Sequence, residues 1–99
     1  MYYLILADDR PDAAARRQAT RPQHLRYLAA LQDEGRLLLA GPRLVHDAPD
    51  PAAGVSGSVI VAAFDSLEAA HTWAAADPYA EADVFQSVRI EPMIKALPA

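Results

Sequence analysis

Two residues in this sequence have the type and setting for proton-transfer chemistry: His24, in "TRPQHLRYLAAL", and Asp77, in "TWAAADPYAEADVF". At about 100° per residue along a helix, His24 falls in the middle of an apolar arc. Tyr27 and Leu31 flank it on one side, Leu25 and Leu28 on the other, and Arg26 and Asp33 lie opposite. An imidazole therefore stands where a leucine would pack best. One reading is a core histidine satisfied by backbone or a tyrosine hydroxyl. The other is a general base in a small apolar pocket, a task suited to a group that titrates near neutrality.

Asp77 precedes Pro78, and that pair suits the N-cap and first position of a short helix through Glu81. Capping and catalysis are compatible, because a carboxylate has several acceptor sites. One oxygen can cap the turn while the other takes an imidazole N–H, fixing the tautomer and stabilising the imidazolium.

Other polar residues stand around this pair. Arg17 and Arg21 share the His24 face if the helix is continuous, where they would attract an anionic substrate; the alternative is a solvated face. Gly57-Ser58 opens a strand, with a small residue leaving room beside a ligand and a hydroxyl able to hydrogen-bond it, or else a plain strand start. His46 and His71 lack ligand-type spacing with His24 or a carboxylate, so no metal site is expected. The sequence has no Gly-rich phosphate loop, nucleotide fingerprint or Gly-x-Ser-x-Gly elbow, and no cofactor is expected.

The elements that must position these residues emerge from the apolar pattern. Tyr2 to Ala7 reads as a buried strand, and the Asp8–Asp12 cluster as a turn in which Asp12 can cap the helix after it. A helical segment runs to about Glu34 with Gly35 as its C′ residue; Pro22 either kinks it or starts a second helix. Arg36 to Pro42 is a second strand ending in a Gly-Pro turn, and Arg43 to Ser56 a long loop. Gly57 to Phe64 is a third strand. Asp65 with Glu68 forms a capping-box pattern opening a helix to about Ala76, and "VFQSVRIEP" is the last strand, with Val84, Gln86, Val88 and Ile90 on one face. The order β-α-β-β-α-β predicts an α+β, ferredoxin-like fold: a four-stranded antiparallel sheet with both helices on one face.

In the first three strands both alternating sets are apolar: Tyr3, Ile5 and Ala7 oppose Tyr2, Leu4 and Leu6, and Val59 and Val61 oppose Ile60 and Ala62. Two helices cover one face only, so a second copy is expected over the other, as a homodimer packed through its sheet faces. With 99 residues the chain is expected to be one domain, residues 1–99. A net charge of -4 argues against nucleic-acid binding, and no stretch is apolar for long enough to span a membrane. The absence of cysteine and of a basic leader fits a cytoplasmic protein.

With these residues in hand, the chain resembles the YCII-related (YciI-like) family. The resemblance covers nearly the whole length and rests on "RPQHLRYL", "GRLLLAGP", "GSVIV", "SLEAA" and "DPYAEADVF" in that order. It implies a dimeric α+β barrel of ferredoxin-like protomers, related to muconolactone-isomerase-like folds, with a His–Asp active site matching His24 and Asp77. It also implies that Arg21, Ser58 and Tyr79 lie near the pocket and bind substrate. Activities suggested within the family are lyase or hydrolase steps on small, often chlorinated, aromatic diols, and relatives occur beside or fused to sigma-factor-like regulators. The leading expectation is a cofactor-independent small-molecule enzyme of lyase, hydrolase or isomerase type. The alternative is a non-catalytic ligand-binding or regulatory interaction module with the same pocket. In the loop "LVHDAPDPAAGV" no family pattern is visible.

Overall fold

The computed structural model describes residues 1–99. Strand β1 (Tyr2–Asp9) leads into helix α1 (Ala14–Asp33), then β2 (Leu37–Leu44), a 3-10 turn (Pro51–Ala53), β3 (Val55–Ala63), α2 (Leu67–Ala75), the short α3 (Pro78–Glu81) and β4 (Phe85–Met93). The strands form one antiparallel sheet in the order β2-β3-β1-β4, the ferredoxin-like arrangement. In the register, Ile5 faces Ile60 on one side and Ile90 on the other. These three lie on the helix face, where Tyr3, Ile5, Leu28, Leu31, Ile60 and Ala70 form the main core.

Helix α1 is continuous through Pro22, which settles the register of everything on its inner face. Its C-terminus is closed as the sequence predicts. Gly35 takes a φ of 71°, its N–H donates to Gln32 O at 3.0 Å, and the Arg36 N–H donates to Leu31 O at 2.9 Å. That doubly bonded closure needs a left-handed residue, which only glycine adopts at little cost. The other end differs from expectation. Ala13 is the N-cap, without a side-chain cap, and Asp12 instead pairs with Arg16 at 3.2 Å.

Two further boundaries shift for local reasons. Pro42 does not end β2, because β2 is an edge strand, where a missing N–H leaves no ladder bond unmade. The loop expected over 43–56 therefore contracts to 45–54, and its 3-10 turn is capped by Asp50, whose carboxylate accepts from Ala52 N–H at 2.9 Å. Helix α2 is capped by Ser66, which accepts from Ala69 N–H at 3.0 Å, one residue later than the Asp65 cap predicted. Val84 precedes β4 and packs with Ala13 and Tyr79 in a second small cluster rather than on the strand's face.

The opposite face of the sheet carries Tyr2, Leu4 and Leu6 of β1, Val59 of β3 and Leu39 of β2. No element of the chain lies over it, and Leu39 is 49% exposed. No helix is long and apolar enough to cross a membrane.

Candidate active site

The inner face of α1 presents Arg17, Arg21, His24 and Leu28 at helical spacing. His24 is 6% exposed, with its ring directed at the turn that starts α3. Its Nδ1 lies 2.8 Å from Asp77 Oδ1, and Asp77 is itself 1% exposed. Asp77 occupies the N-cap of α3 in an extended conformation, and the same Oδ1 accepts the Tyr79 backbone N–H at 2.9 Å. The sequence predicts a division of labour between the two carboxylate oxygens; the structure gives both tasks to one. An ionised carboxylate only accepts, so Nδ1 carries the hydrogen and the lone pair of the neutral ring sits on Nε2.

Tyr79 packs its ring on the imidazole, with centroids 3.8 Å apart and planes inclined by 14°. A stacked partner and a hydrogen-bonded partner together fix the position and rotation of His24. Nε2 has no protein partner, yet no buried polar atom in the molecule lacks one, so Nε2 is open. The opening is a cleft of about 650 Å³ between α1 and the β2–β3 side of the sheet, with His24 in its lining.

Of the five residues singled out in the sequence, His24, Arg21, Ser58 and Tyr79 line this cleft, while Asp77 sits behind His24 and does not reach it. Arg21 is exposed and has no ion-pair partner. Ser58 lies in β3 opposite Ala7 of β1 and is buried. The 45–54 loop is part of the site: Pro51, Ala52 and Gly54 wall the cleft opposite α1.

Two expectations are corrected here. Arg17 is not a free cation for substrate. It makes two 2.8 Å bonds to the Asp9 carboxylate and a third, of 2.9 Å, to Ser58 Oγ. Burial works against its charge, but the Asp9 carboxylate outweighs burial and holds the guanidinium above its ordinary value. Gly57 does not make room for a ligand. A Cβ there would collide with the Ala7 carbonyl and with the Arg43 guanidinium, which crosses β3 to bond Ala7 O at 2.7 Å and the Asp8 carboxylate.

Asp9 is the functional-site neighbour that sequence reasoning missed, by reading it as part of a turn. Its signal was the period-two series Tyr3, Ile5, Ala7, Asp9, which carries a carboxylate onto the helix face at the end of β1. Tyr79, beside this pair, has its phenol pushed up by burial, with Arg17 opposing, so the hydroxyl stays neutral. No group of three or more His, Asp or Glu side chains is arranged to hold a metal ion.

Comparison with known proteins bears on the family and the fold. The family model for the YCII-related domain matches residues 1–94. Protein YciI of Escherichia coli O6:H1 is 50% identical over 96 residues, covering 96% of this chain and 98% of that protein. A Haemophilus influenzae protein is 48% identical over the same shares. Among solved structures, 5-chloro-2-hydroxyhydroquinone dehydrochlorinase from Burkholderia phenoliruptrix AC1100, in complex with 2,5-dihydroxybenzoquinone, superposes with a TM-score of 0.86. It is 26% identical, over 95% of this chain and 94% of that one.

Proposed function

The chain belongs to the YCII-related family, and we propose that it is a cofactor-independent enzyme acting on a small molecule through acid/base chemistry at His24. Nε2 removes or delivers the proton. Asp77 holds the ring in the Nδ1–H tautomer and stabilises the imidazolium formed in the transition state. Ser58, Tyr79 and the unpaired Arg21 bind the substrate's oxygen or carboxylate. The reaction is of lyase, hydrolase or isomerase type, on small aromatic or dienolic compounds that lose or shift a proton next to an oxygenated carbon.

The observation that carries this reading is a buried 2.8 Å His24–Asp77 bond whose free ring nitrogen opens on a cleft. A core histidine would have both nitrogens satisfied by protein. Likeness to a dehydrochlorinase that binds a dihydroxyquinone supports the substrate class. The cleft volume lies within the range of small-ligand sites.

We also propose that residues 1–99 act as a single domain in a homodimer whose sheets face each other. The uncovered row of Leu4, Leu6, Val59 and Leu39 supports this arrangement.

The test is titration with 2,5-dihydroxybenzoquinone and turnover of small halogenated or enolisable phenols. Saturable binding, with turnover abolished in His24→Gln while binding persists, is the expected result. Binding without turnover of any such compound would favour a ligand-binding module instead. No binding would remove the substrate class.

A further inference from the structure

Arg17 is the buried cation of the cleft wall, and its contacts run in three directions. Nε and Nη2 bond the two oxygens of Asp9, Nη2 also donates to Ser58 Oγ, and the guanidinium carbon lies 4.5 Å from the centre of the Tyr79 ring. The side chains of the pair are only 11% and 6% exposed. Burying two charges is costly before their attraction is counted, and apolar residues of like volume often anchor a helix to a sheet as well or better. What apolar residues cannot do is set the direction of a hydroxyl hydrogen. A serine hydroxyl has one hydrogen and two acceptor lone pairs, whereas arginine has only donors. Ser58 must therefore accept from Arg17, and no protein acceptor takes its own hydrogen in return.

We propose that Arg17, held by Asp9, is a positioning residue that fills one lone pair of Ser58 and leaves its hydrogen to donate into the cleft. The site thereby selects a small ligand that presents an oxyanion or carbonyl oxygen at Ser58. The inference rests on the reading of the cleft as a small-molecule site. Ser58 lines that cleft together with Tyr79, whose neutral phenol offers a second O–H on the same wall. Two hydroxyl donors backed by a guanidinium suit an oxygen on which negative charge develops as His24 removes a proton. A ligand with only N–H groups there would leave the Ser58 hydrogen unused and would have the second lone pair of the hydroxyl as its one acceptor. Asp9 balances the charge of Arg17 and holds its fork in place, so the cation polarises Ser58 from a fixed position.

The experiment is a double-mutant cycle on probe binding and on the probe's spectrum. The probe is 4-nitrophenol, a small planar phenol whose ionised form absorbs in the visible. The wild-type protein should take up the nitrophenolate in preference, so that its visible band appears at a pH where the free probe is mostly neutral. Ser58→Ala should lose about tenfold in affinity for the anion and should lose the band, as expected on removing a hydrogen bond to a charged group. Arg17→Lys keeps a charge beside Asp9 but lacks the planar fork that bonds both Asp9 oxygens and Ser58 at once. It should lose a comparable factor, and the double variant should bind no worse than Ser58→Ala alone. Thermal unfolding shows which variants are folded. If Arg17→Lys is not, Arg17→Gln with Asp9→Asn removes both charges together and completes the same cycle. Losses that multiply in the double variant, or an Arg17 substitution that leaves the bound spectrum unchanged, overturn the role of Arg17 and leave the small-molecule site standing. A wild-type protein that takes up neither form of the probe overturns both.

Discussion

One oxygen of Asp77 serves two partners: it accepts from the His24 ring, 53 residues away in sequence, at 2.8 Å and from the Tyr79 backbone N–H at 2.9 Å. The start of α3 and the orientation of the imidazole are thus a single structural event. Whatever moves the α3 turn moves His24, and Tyr79, which is stacked on that ring, moves with both.

Replacement of Asp77 by asparagine separates the two tasks. Asparagine caps helices about as well as aspartate, so the fold and the α3 turn should persist, with stability changed by less than about 1 kcal/mol. The negative charge behind the imidazolium is lost, however, and turnover should fall by about 10²-fold or more, the usual contribution of a positioned acid/base group. Denaturant unfolding and steady-state rates on the same variant check both halves. An unimpaired rate would reduce Asp77 to a helix cap.

His24→Leu matches the apolar arc of α1 but leaves a carboxylate that is 1% exposed with a backbone N–H as its one donor. The expected cost is about 1–3 kcal/mol, the penalty for a stranded buried polar group. Adding Asp77→Asn should give part of it back. A chemical-denaturation cycle measures this coupling; additive losses would mean that the two side chains do not interact.

Gly57→Ala should destabilise the sheet by about 1–3 kcal/mol or more, since a Cβ would meet the Ala7 carbonyl of the paired strand and displace Arg43 from its bonds across β3. Ligand binding in the cleft should survive in the folded fraction. Unchanged stability would show that the close crossing of Arg43 over Gly57 is not kept in solution.

Burial holds the phenols of both Tyr27 and Tyr79 above the ordinary value of 10.0, with Asp77 adding to it at Tyr27 and Arg17 opposing it at Tyr79. A group raised in the fold contributes stability that is complete below its unfolded pKa and is lost as the pH rises through its folded one. Unfolding free energy should therefore decline above about pH 10. The decline should be shallower in Tyr79→Phe. An unchanged slope in that variant would mean that the Tyr79 phenol ionises as freely as in the unfolded chain.

The proposed dimer predicts a twofold assembly burying more than the roughly 1,600 Å² of a standard complex, because it closes half a core. Leu6→Arg with Leu39→Arg should yield monomers by sedimentation equilibrium. A wild-type monomer at micromolar concentration would contradict the dimer and leave the apolar sheet face unexplained.

The architecture was legible because β1 and β3 are short apolar runs bounded by turn residues, because α1 carries a local apolar arc around His24, and because Gly35 can close α1 in only one economical way. His24 stood out as an imidazole within an apolar arc, and Asp77 as a carboxylate ahead of a proline. Boundaries failed where a residue has two roles. Pro42 reads as a turn but tolerates an edge strand, and Asp65 and Ser66 are both good caps. The Arg17–Asp9 pair was hidden for a different reason: the two residues lie on separate elements, and their bond depends on how the end of β1 aligns with the first turns of α1. No local pattern encodes that alignment.

The central claim, that His24 is oriented by Asp77 to present a reactive nitrogen to the cleft, is tested most directly by the ring nitrogens themselves. Long-range ¹H–¹⁵N correlation of the His24 imidazole, recorded with the ring neutral and then during addition of the quinone probe, reads both tautomer and exposure. The expected result is hydrogen on Nδ1, a lone pair on Nε2, and a resonance of Nε2 that moves as the probe binds while Nδ1 stays bonded to Asp77. A ring protonated on Nε2, or a His24 that does not respond to a probe bound in the cleft, would contradict it.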